Sequence, residues 1–216
     1  ESDVRGYAAS ALGNIGNAEA VPELIAALKD SESDVRGYAA SALGNIGNAE
    51  AVPELIAALK DSDSFVRGDA AEALGNIGNA EAVRGLIAAL KDSDSFVRGD
   101  AAEALGNIGN AEAVPGLIAA LKDSDSFVRG YAASALGNIG NAEALNEIIG
   151  LSEIDIYEGE IFTSARTLAV RFSKQKEFFI PVYPELVRFN PILTFVKRRL
   201  RVFRYRVQKL VNEYQR

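Results

Sequence analysis

A unit of 31 residues recurs along most of this chain, and that period constrains the fold more than any other feature of the sequence. An incomplete first copy occupies residues 1–29, and four further copies follow it. They begin at Asp30, Asp61, Asp92 and Asp123. Periods of roughly 20 to 50 residues are typical of arrays in which each unit buries its apolar face against its neighbours. We therefore predict a stack of repeated units, in which the last copy loses the pattern after Ala144.

Each unit is predicted to contain two helices. In the second copy, the apolar face of the first helix carries Val35, Ala39, Ala42, Leu43 and Ile46. The second helix carries Val52, Leu55, Ile56 and Leu59. Steps of three and four residues are those of an α-helix. The Asp and Ser residues at 30–34 are predicted to cap the first helix. Gly47 is predicted to end that helix and Asn48 to cap the segment that follows. Pro53 is predicted to lie in the first turn of the second helix.

The repeated pattern resembles a known family. Over residues 1 to about 150 it is D-S-x-S-x-V-R-x-x-A-A-x-A-L-G-x-I-G-x-x-x-A-V-P-x-L-I-x-A-L. This pattern is similar to the HEAT-like repeats of the short bacterial type found in phycobilisome (phycocyanobilin) lyase subunits. We predict an all-α fold, a right-handed α-solenoid of the α–α superhelix type with a helical carboxyl-terminal cap. The resemblance implies a curved array whose second helices line the concave side.

Charge divides the chain into two parts. Residues 1–150 hold 10 Lys and Arg against 23 Asp and Glu, a net charge of -13. Residues 151–216 hold 13 against 7, a net charge of +6, and the two sum to -7. We therefore predict five repeats over 1–150 and a separate basic segment over 151–216. This segment is predicted to contain two helices, the first over 158–175, joined by a Pro-containing connector. Because the sequence begins inside a repeat and without Met, we expect it to be a piece of a longer polypeptide.

Composition narrows the possible functions. The chain has no Cys and no His, so it lacks the commonest general base, the commonest metal ligand and any thiol chemistry. No arrangement of a nucleophile with a base stands out among the remaining Ser, Lys and carboxylate groups. We expect no catalytic, metal or cofactor site, and no enzyme activity. No apolar run is long enough to span a membrane and no signal peptide is visible, so we expect a cytoplasmic location.

Differences between copies are more informative than their identity, since recent duplication explains identity without selection. On the second helix, Gly85 and Gly116 replace the Glu of other copies, and Arg84 replaces a Pro. With the small residues Ala88 and Ala119, they predict a partner-binding patch on the second helices of the third and fourth repeats. On the first helix of the same repeats, Asp69 and Asp100 replace the Tyr of other copies, and Glu72 and Glu103 replace the Ser. Near the start of the first helix, Phe replaces Asp at positions 65, 96 and 127. The alternative is drift within duplicated units.

Two repeated polar features favour structural roles. One Arg per unit, at Arg36, Arg67, Arg98 and Arg129, is predicted to pair with Asp residues of neighbouring loops, with a row of anion sites as the alternative. The DSDS loops are predicted to be helix caps. As calcium loops of the EF-hand type they would need Gly at the sixth position, where the loop beginning at Asp92 has Val97.

The basic segment ends in a predicted amphipathic helix that opens at Asn190 and Pro191. Its apolar residues are Ile192, Val196, Leu200, Phe203, Val207, Leu210 and Tyr214. Its basic face includes Lys197, Arg198, Arg201 and Arg204, which are further candidate partner-binding residues. The helix could cap the solenoid, with the basic side exposed or facing the acidic repeats. It could instead bind nucleic acid, or a membrane surface or partner helix.

The leading functional hypothesis is a non-enzymatic scaffold for protein–protein interaction, with another protein as partner. The resemblance implies a second hypothesis, a bilin lyase-like or chaperone-like subunit, for which a phycobiliprotein is the possible partner. A third hypothesis is the sensor or binding end of a larger signalling ATPase, and a fourth is nucleic-acid binding through the basic terminal helix. A solenoid suits the leading hypothesis because its long surface is already formed before a partner binds.

Overall fold

The structure, a computed structural model, describes residues 2–140. Within this range five long helices alternate with four pairs of a short 3-10 turn and a short α-helix. The long helices are α1 Ser2–Ile15, α3 Ser33–Ile46, α5 Ser64–Ile77, α7 Ser95–Ile108 and α9 Ser126–Ile139. The 3-10 turns are Ala18–Ala20, Ala49–Ala51, Ala80–Ala82 and Ala111–Ala113. The short helices are α2 Val21–Ala27, α4 Val52–Ala58, α6 Val83–Ala89 and α8 Val114–Ala120.

We number the repeats 1 to 5 by their long helices α1, α3, α5, α7 and α9. The turn between the two helices of a repeat is fixed by a glycine and an asparagine, as the sequence predicts. Gly47 ends α3 at a φ of 73°, a left-handed conformation in which glycine carries no steric penalty. The Asn48 side chain then accepts a hydrogen bond of 2.9 Å from the Glu50 backbone N–H. The prediction of a helix end followed by a new cap is therefore confirmed.

Capping of the long helices follows the prediction in three repeats and departs from it in one. The carboxylates of Asp63, Asp94 and Asp125 accept hydrogen bonds from backbone N–H groups at the start of α5, α7 and α9. The corresponding residue of α3 is Glu32, whose side chain makes no capping bond. Short side chains make the bond that Glu32 does not, because their oxygen lies close to the backbone of the first turn.

The repeats stack through their long helices. Each long helix packs against the next one, α1 on α3 and so on to α9, and each short helix packs against the long helix that follows it. Glycine allows the closest approach, since a β-carbon at Gly44 would lie only 2.7 Å from the Cα of Ala73. One core of Ala, Val and Leu runs through the stack, with Leu43 and Leu55 fully buried.

The described residues form an all-helical solenoid, which confirms the predicted fold class. In that part of the chain no helix is long and apolar enough to cross a membrane. The predicted terminal cap, the end of the fifth repeat and the basic segment 151–216 lie outside the described residues.

Candidate partner-binding surfaces

A ladder of ion pairs connects successive repeats along one edge of the stack. Arg67 donates from Nε to Asp92 Oδ2 at 2.7 Å and from Nη2 to Asp92 Oδ1 at 2.8 Å. Its Nη1 also donates to the backbone oxygens of Asp61, at 2.9 Å, and Ser62, at 3.2 Å. Equivalent paired bonds join Arg5 to Asp30, Arg36 to Asp61 and Arg98 to Asp123.

These bonds favour the ionised form of the aspartates in the ladder. The hydrogen bonds from Arg67 are the largest cause that lowers the pKa of Asp92 below its ordinary value. The equivalent bonds lower the pKa values of Asp61 and Asp123 in the same way. Each aspartate also accepts a backbone N–H of its own loop, as Asp92 does from Asp94. The carboxylates are therefore engaged in stacking and capping. This confirms the structural prediction for the DSDS loops and for Arg36, Arg67 and Arg98. Within the described residues, Arg129 donates to the backbone oxygens of Asp123 and Ser124, and its pairing with an Asp side chain stays a prediction.

The patch predicted on the second helices forms a surface that we call the second-helix surface, made of Arg84, Gly85 and Ala88 on α6 and Gly116 and Ala119 on α8. Arg84 is 87% exposed and contacts Glu112 of the next repeat at 3.3 Å. Ala88 and Ala119 are exposed, whereas Gly85 and Gly116 are half-buried. The predicted residues therefore lie on two equivalent helices of successive repeats.

The two glycines of this surface lie against the preceding second helix. A β-carbon at Gly85 would lie 3.1 Å from Leu59 Cδ1 and 3.4 Å from Ile56 Cγ2. Gly116 has the same relation to Leu90 and Ile87 of the preceding repeat. The small side chains that this surface exposes are therefore those of the alanines, whereas the glycines face side chains of the preceding repeat. How this surface is used stays a prediction.

A second surface lies on the long helices, and its extent is clear only in the structure. On α5, Phe65, Asp69 and Glu72 follow one another at i, i+4 and i+7, the spacing of a single helix stripe. On α7 the stripe is Phe96, Asp100 and Glu103, and α9 adds Phe127. We call these seven residues the acid–aromatic face. The three phenylalanines are 82%, 80% and 72% exposed.

The carboxylates of the acid–aromatic face repel one another. Burial is the largest cause that raises the pKa of Asp69 to about 6, and Glu72 is the next. Burial also raises the pKa of Asp100 to about 6, with Glu72, Glu103 and Asp69 adding to the effect. Glu72 lies on α5 and Asp100 on α7, so the repulsion crosses from one repeat to the next. The charges that act on these two aspartates from the described residues are all negative.

The acidic substitutions are visible in the sequence, but the predicted site does not include these phenylalanines and aspartates. The available signal is the common stripe, because the three variable positions of each long helix are four and three residues apart. The degree of exposure and the shifted pKa values depend on how adjacent helices pack, which spacing alone does not give. The candidate residues Lys197, Arg198, Arg201 and Arg204 lie outside the described residues.

The stacked hairpins, the shared core and the ladder together define an α-solenoid repeat protein. A family model described as HEAT repeats matches residues 1–75, 24–105 and 83–155, which together exceed half of the chain. The chain belongs to the HEAT-repeat family. None of the curated proteins matches it.

Similar solved structures agree with this assignment. The complex of CpcE and CpcF of phycocyanin lyase from Nostoc sp. PCC7120 is 32% identical, with a TM-score of 0.60, over 76% of this chain and 66% of that chain. An engineered protein is 27% identical, with a TM-score of 0.55, over 78% of this chain and 90% of that one. A designed armadillo repeat protein in complex with the peptide (KR)4 is 22% identical, with a TM-score of 0.55, over 77% and 92%. This last likeness concerns the fold alone.

The second-helix surface is expected to be dispensable for stability. The triple variant Arg84→Pro, Gly85→Glu and Gly116→Glu installs the residues that repeat 2 carries at these positions, where Pro53 and Glu54 are accommodated in the first turn of α4. Leu59 Cδ1 and Leu90 Cδ1 are the free ends of flexible side chains, so each can move a few tenths of an ångström. The free energy of unfolding in urea should change by less than about 1 kcal/mol. A larger loss would mean that these residues serve stacking.

Proposed function

We propose that this protein is a non-enzymatic scaffold that binds another protein through the second-helix surface of repeats 3 and 4. One observation carries the proposal. Repeats 2 to 4 share the same core, the same glycine and asparagine turn and the same Arg–Asp ladder. They differ at surface positions that stacking does not require, and on the short helices those differences fall on α6 and α8.

The chemistry of the second-helix surface suits a partner with a flat apolar patch edged by a carboxylate. Ala88 and Ala119 present small apolar groups from successive repeats, and Arg84 stands beside them with its side chain in solvent. The side chains of Arg84 and Glu112 are both exposed to solvent, and exposed ion pairs contribute at most about 1 kcal/mol to stability. A partner carboxylate can therefore compete for the guanidinium at little cost. A cytoplasmic location and the absence of catalysis belong to the same proposal.

A bilin lyase-like subunit is the second candidate, and the likeness to the CpcE and CpcF complex favours it. That structure is itself a complex of two proteins, and the chain covers 66% of the matched one. In this version the bound protein is a related repeat subunit or a phycobiliprotein. Both candidates need a protein partner, so one experiment addresses them together.

The test is affinity capture from the source organism with the full chain as bait, followed by mass spectrometry. Three baits are compared: the native chain, the second-helix variant Arg84→Pro, Gly85→Glu, Gly116→Glu, and a control variant Glu50→Gln, Glu81→Gln. The control changes two exposed carboxylates in the 3-10 turns. We expect the native and control baits to retain the same protein and the second-helix variant to lose most of it.

The outcomes distinguish the candidate functions. Recovery of a phycobiliprotein or of a second repeat subunit supports the lyase-like version. A protein that all three baits retain equally contradicts the proposed surface. If no protein is retained and the native chain instead binds nucleic acid in a salt-sensitive manner, the scaffold proposal is wrong.

A further inference from the structure

The acid–aromatic face carries two properties that stacking does not explain. Repeats 2 and 5 stack with Tyr38 and Tyr131 at the positions of Asp69 and Asp100, so the aspartates are not needed to fill that space. Tyr131 lies over Gly99 of the preceding long helix, as Asp69 does over Gly37. Asp69 does contact the preceding repeat, where Ser41 hydrogen-bonds to it. The exposed phenylalanines and the accumulation of four carboxylates in two successive repeats are nevertheless not needed for stacking, because repeats 2 and 5 stack without those carboxylates.

The charge of this face favours a cationic occupant. Asp69, Glu72, Asp100 and Glu103 repel one another, and the raised pKa values of the two aspartates report the cost of keeping them ionised. The charged groups that face them from their own and adjacent elements are carboxylates, including Asp63 and Asp94 at the helix starts. A Lys or Arg side chain placed among these carboxylates would relieve their repulsion. It would also be partly withdrawn from water, and ion pairs are stronger when they are shielded from water.

The phenylalanines favour an occupant with an apolar stripe at matching intervals. Phe65, Phe96 and Phe127 are supplied one per repeat, by long helices in backbone contact. Helices that pack through small residues lie about 8 Å apart within a usual range of about 8–10 Å. A helix whose apolar residues recur every seven positions presents them every 10.5 Å or so, at about 1.5 Å per residue. An amphipathic helix lying obliquely across the long helices would cross them at intervals longer than their separation, and could therefore place one apolar side chain near each phenylalanine.

The sequence of this chain contains one such segment outside the described residues. In residues 190–216, Val196, Phe203 and Leu210 recur every seven positions within the predicted apolar stripe. Lys197, Arg198, Arg201 and Arg204 lie between them. Residues 141–189 separate the segment from the described repeats, and these 49 residues are long enough to reach any repeat, since an extended chain spans about 3.3 Å per residue.

We propose that the acid–aromatic face is the docking surface for residues 190–216 of the same chain. The phenylalanines receive the apolar stripe of the segment, and the four carboxylates receive its Lys and Arg side chains. This interaction lies on α5, α7 and α9, away from the second-helix surface. It goes beyond the proposed function and does not depend on it.

Crosslinking in the full chain tests the proposal, because the protein has no native cysteine. Phe96→Cys is combined in turn with Val196→Cys, Phe203→Cys or Leu210→Cys and treated with a short bifunctional maleimide at high dilution. The control pairs use Glu81→Cys, in a 3-10 turn at the opposite end of the long helices, with the same three partners. We expect at least one Phe96 pair to give intrachain product several-fold above its control.

Charge removal completes that test. Asp69→Tyr, Glu72→Ser, Asp100→Tyr and Glu103→Ser install the residues found in repeats 2 and 5, which preserves stacking. They should reduce the intrachain product to the control level. Yields at the control level in all three Phe96 pairs overturn the proposal, as does product that forms only between chains, which would assign the face to a second copy. Intrachain product that survives charge removal also overturns it.

A second measurement leaves the repeats unchanged. Carboxyl carbon NMR follows the titration of Asp69 and Asp100 in the native full chain and in the variant Lys197→Gln, Arg198→Gln, Arg201→Gln, Arg204→Gln. Docked cations should hold both pKa values well below 6 in the native chain, and the variant should return them to about 6. Titration near 6 in both chains contradicts docking.

Discussion

Gly75→Ala should lower the free energy of unfolding by about 2 kcal/mol. A β-carbon at Gly75 would lie 2.7 Å from the Cα and 2.8 Å from the Cβ of Ala104. The obstacle on the α7 side includes backbone, so α5 and α7 must move apart along their contact. Alanine gains about 1 kcal/mol over glycine in helix propensity, and that gain offsets only part of the overpacking cost of up to about 3 kcal/mol.

The consequence for cooperativity is equally specific. In a stack whose units contact only their neighbours, a weakened contact in the middle divides the array. Urea unfolding followed by circular dichroism should become broader or show two transitions. The matched control is Gly78→Ala, which adds the same methyl group where no atom lies within 4 Å. Its cost of about 1 kcal/mol comes from the φ of 72° alone, and its transition should stay single. Equal effects of the two variants would contradict the close-packing account.

Arg67→Ala should lower the free energy of unfolding by about 3 kcal/mol, because it removes one partner of a pair that is largely withdrawn from water. The side chains of Arg67 and Asp92 are each 12% exposed. The substitution strands the Asp92 carboxylate and two backbone oxygens of the preceding loop. Arg67→Lys should lose about 2 kcal/mol, since one ammonium group cannot reproduce the two-pronged bond and both carbonyl contacts.

Arg84→Ala is the matched control for that variant. It removes an arginine whose ion pair is exposed on both sides and should change stability by at most about 0.5 kcal/mol. The difference between native and Arg67→Ala should also depend on pH. Bonds from Arg67 lower the pKa of Asp92 from its ordinary value of 3.8. The stabilisation is therefore complete above that value and lost as the pH falls through the lowered one. A difference between the two chains that does not decrease as the pH falls below 3.8 would contradict an ionic origin.

Local sequence signals predicted local structure well. Gly47 and Asn48 occupy the helix end and the next cap because each conformation depends on one residue and its own backbone. The Arg–Asp ladder could also be anticipated, since one Arg and one Asp recur at a constant spacing of 25 residues, as in Arg36 and Asp61. What the period could not supply is the geometry between repeats.

Two features depended on that geometry. Gly85 faces Leu59 of the preceding short helix, which no spacing rule gives. The raised pKa of Asp100 depends on Glu72 of the preceding repeat, 28 positions earlier in the sequence. Each is a contact between units and follows from how closely the helices approach.

The separation of stacking residues from recognition residues is the central claim, and hydrogen exchange with the captured partner tests it most directly. Backbone amides are compared in the free full chain and in the complex. We expect added protection to be concentrated in α6 and α8, while the long helices exchange as in the free chain. Protection confined to α5 and α7, or no change at α6 and α8 when the partner is saturating, would contradict it.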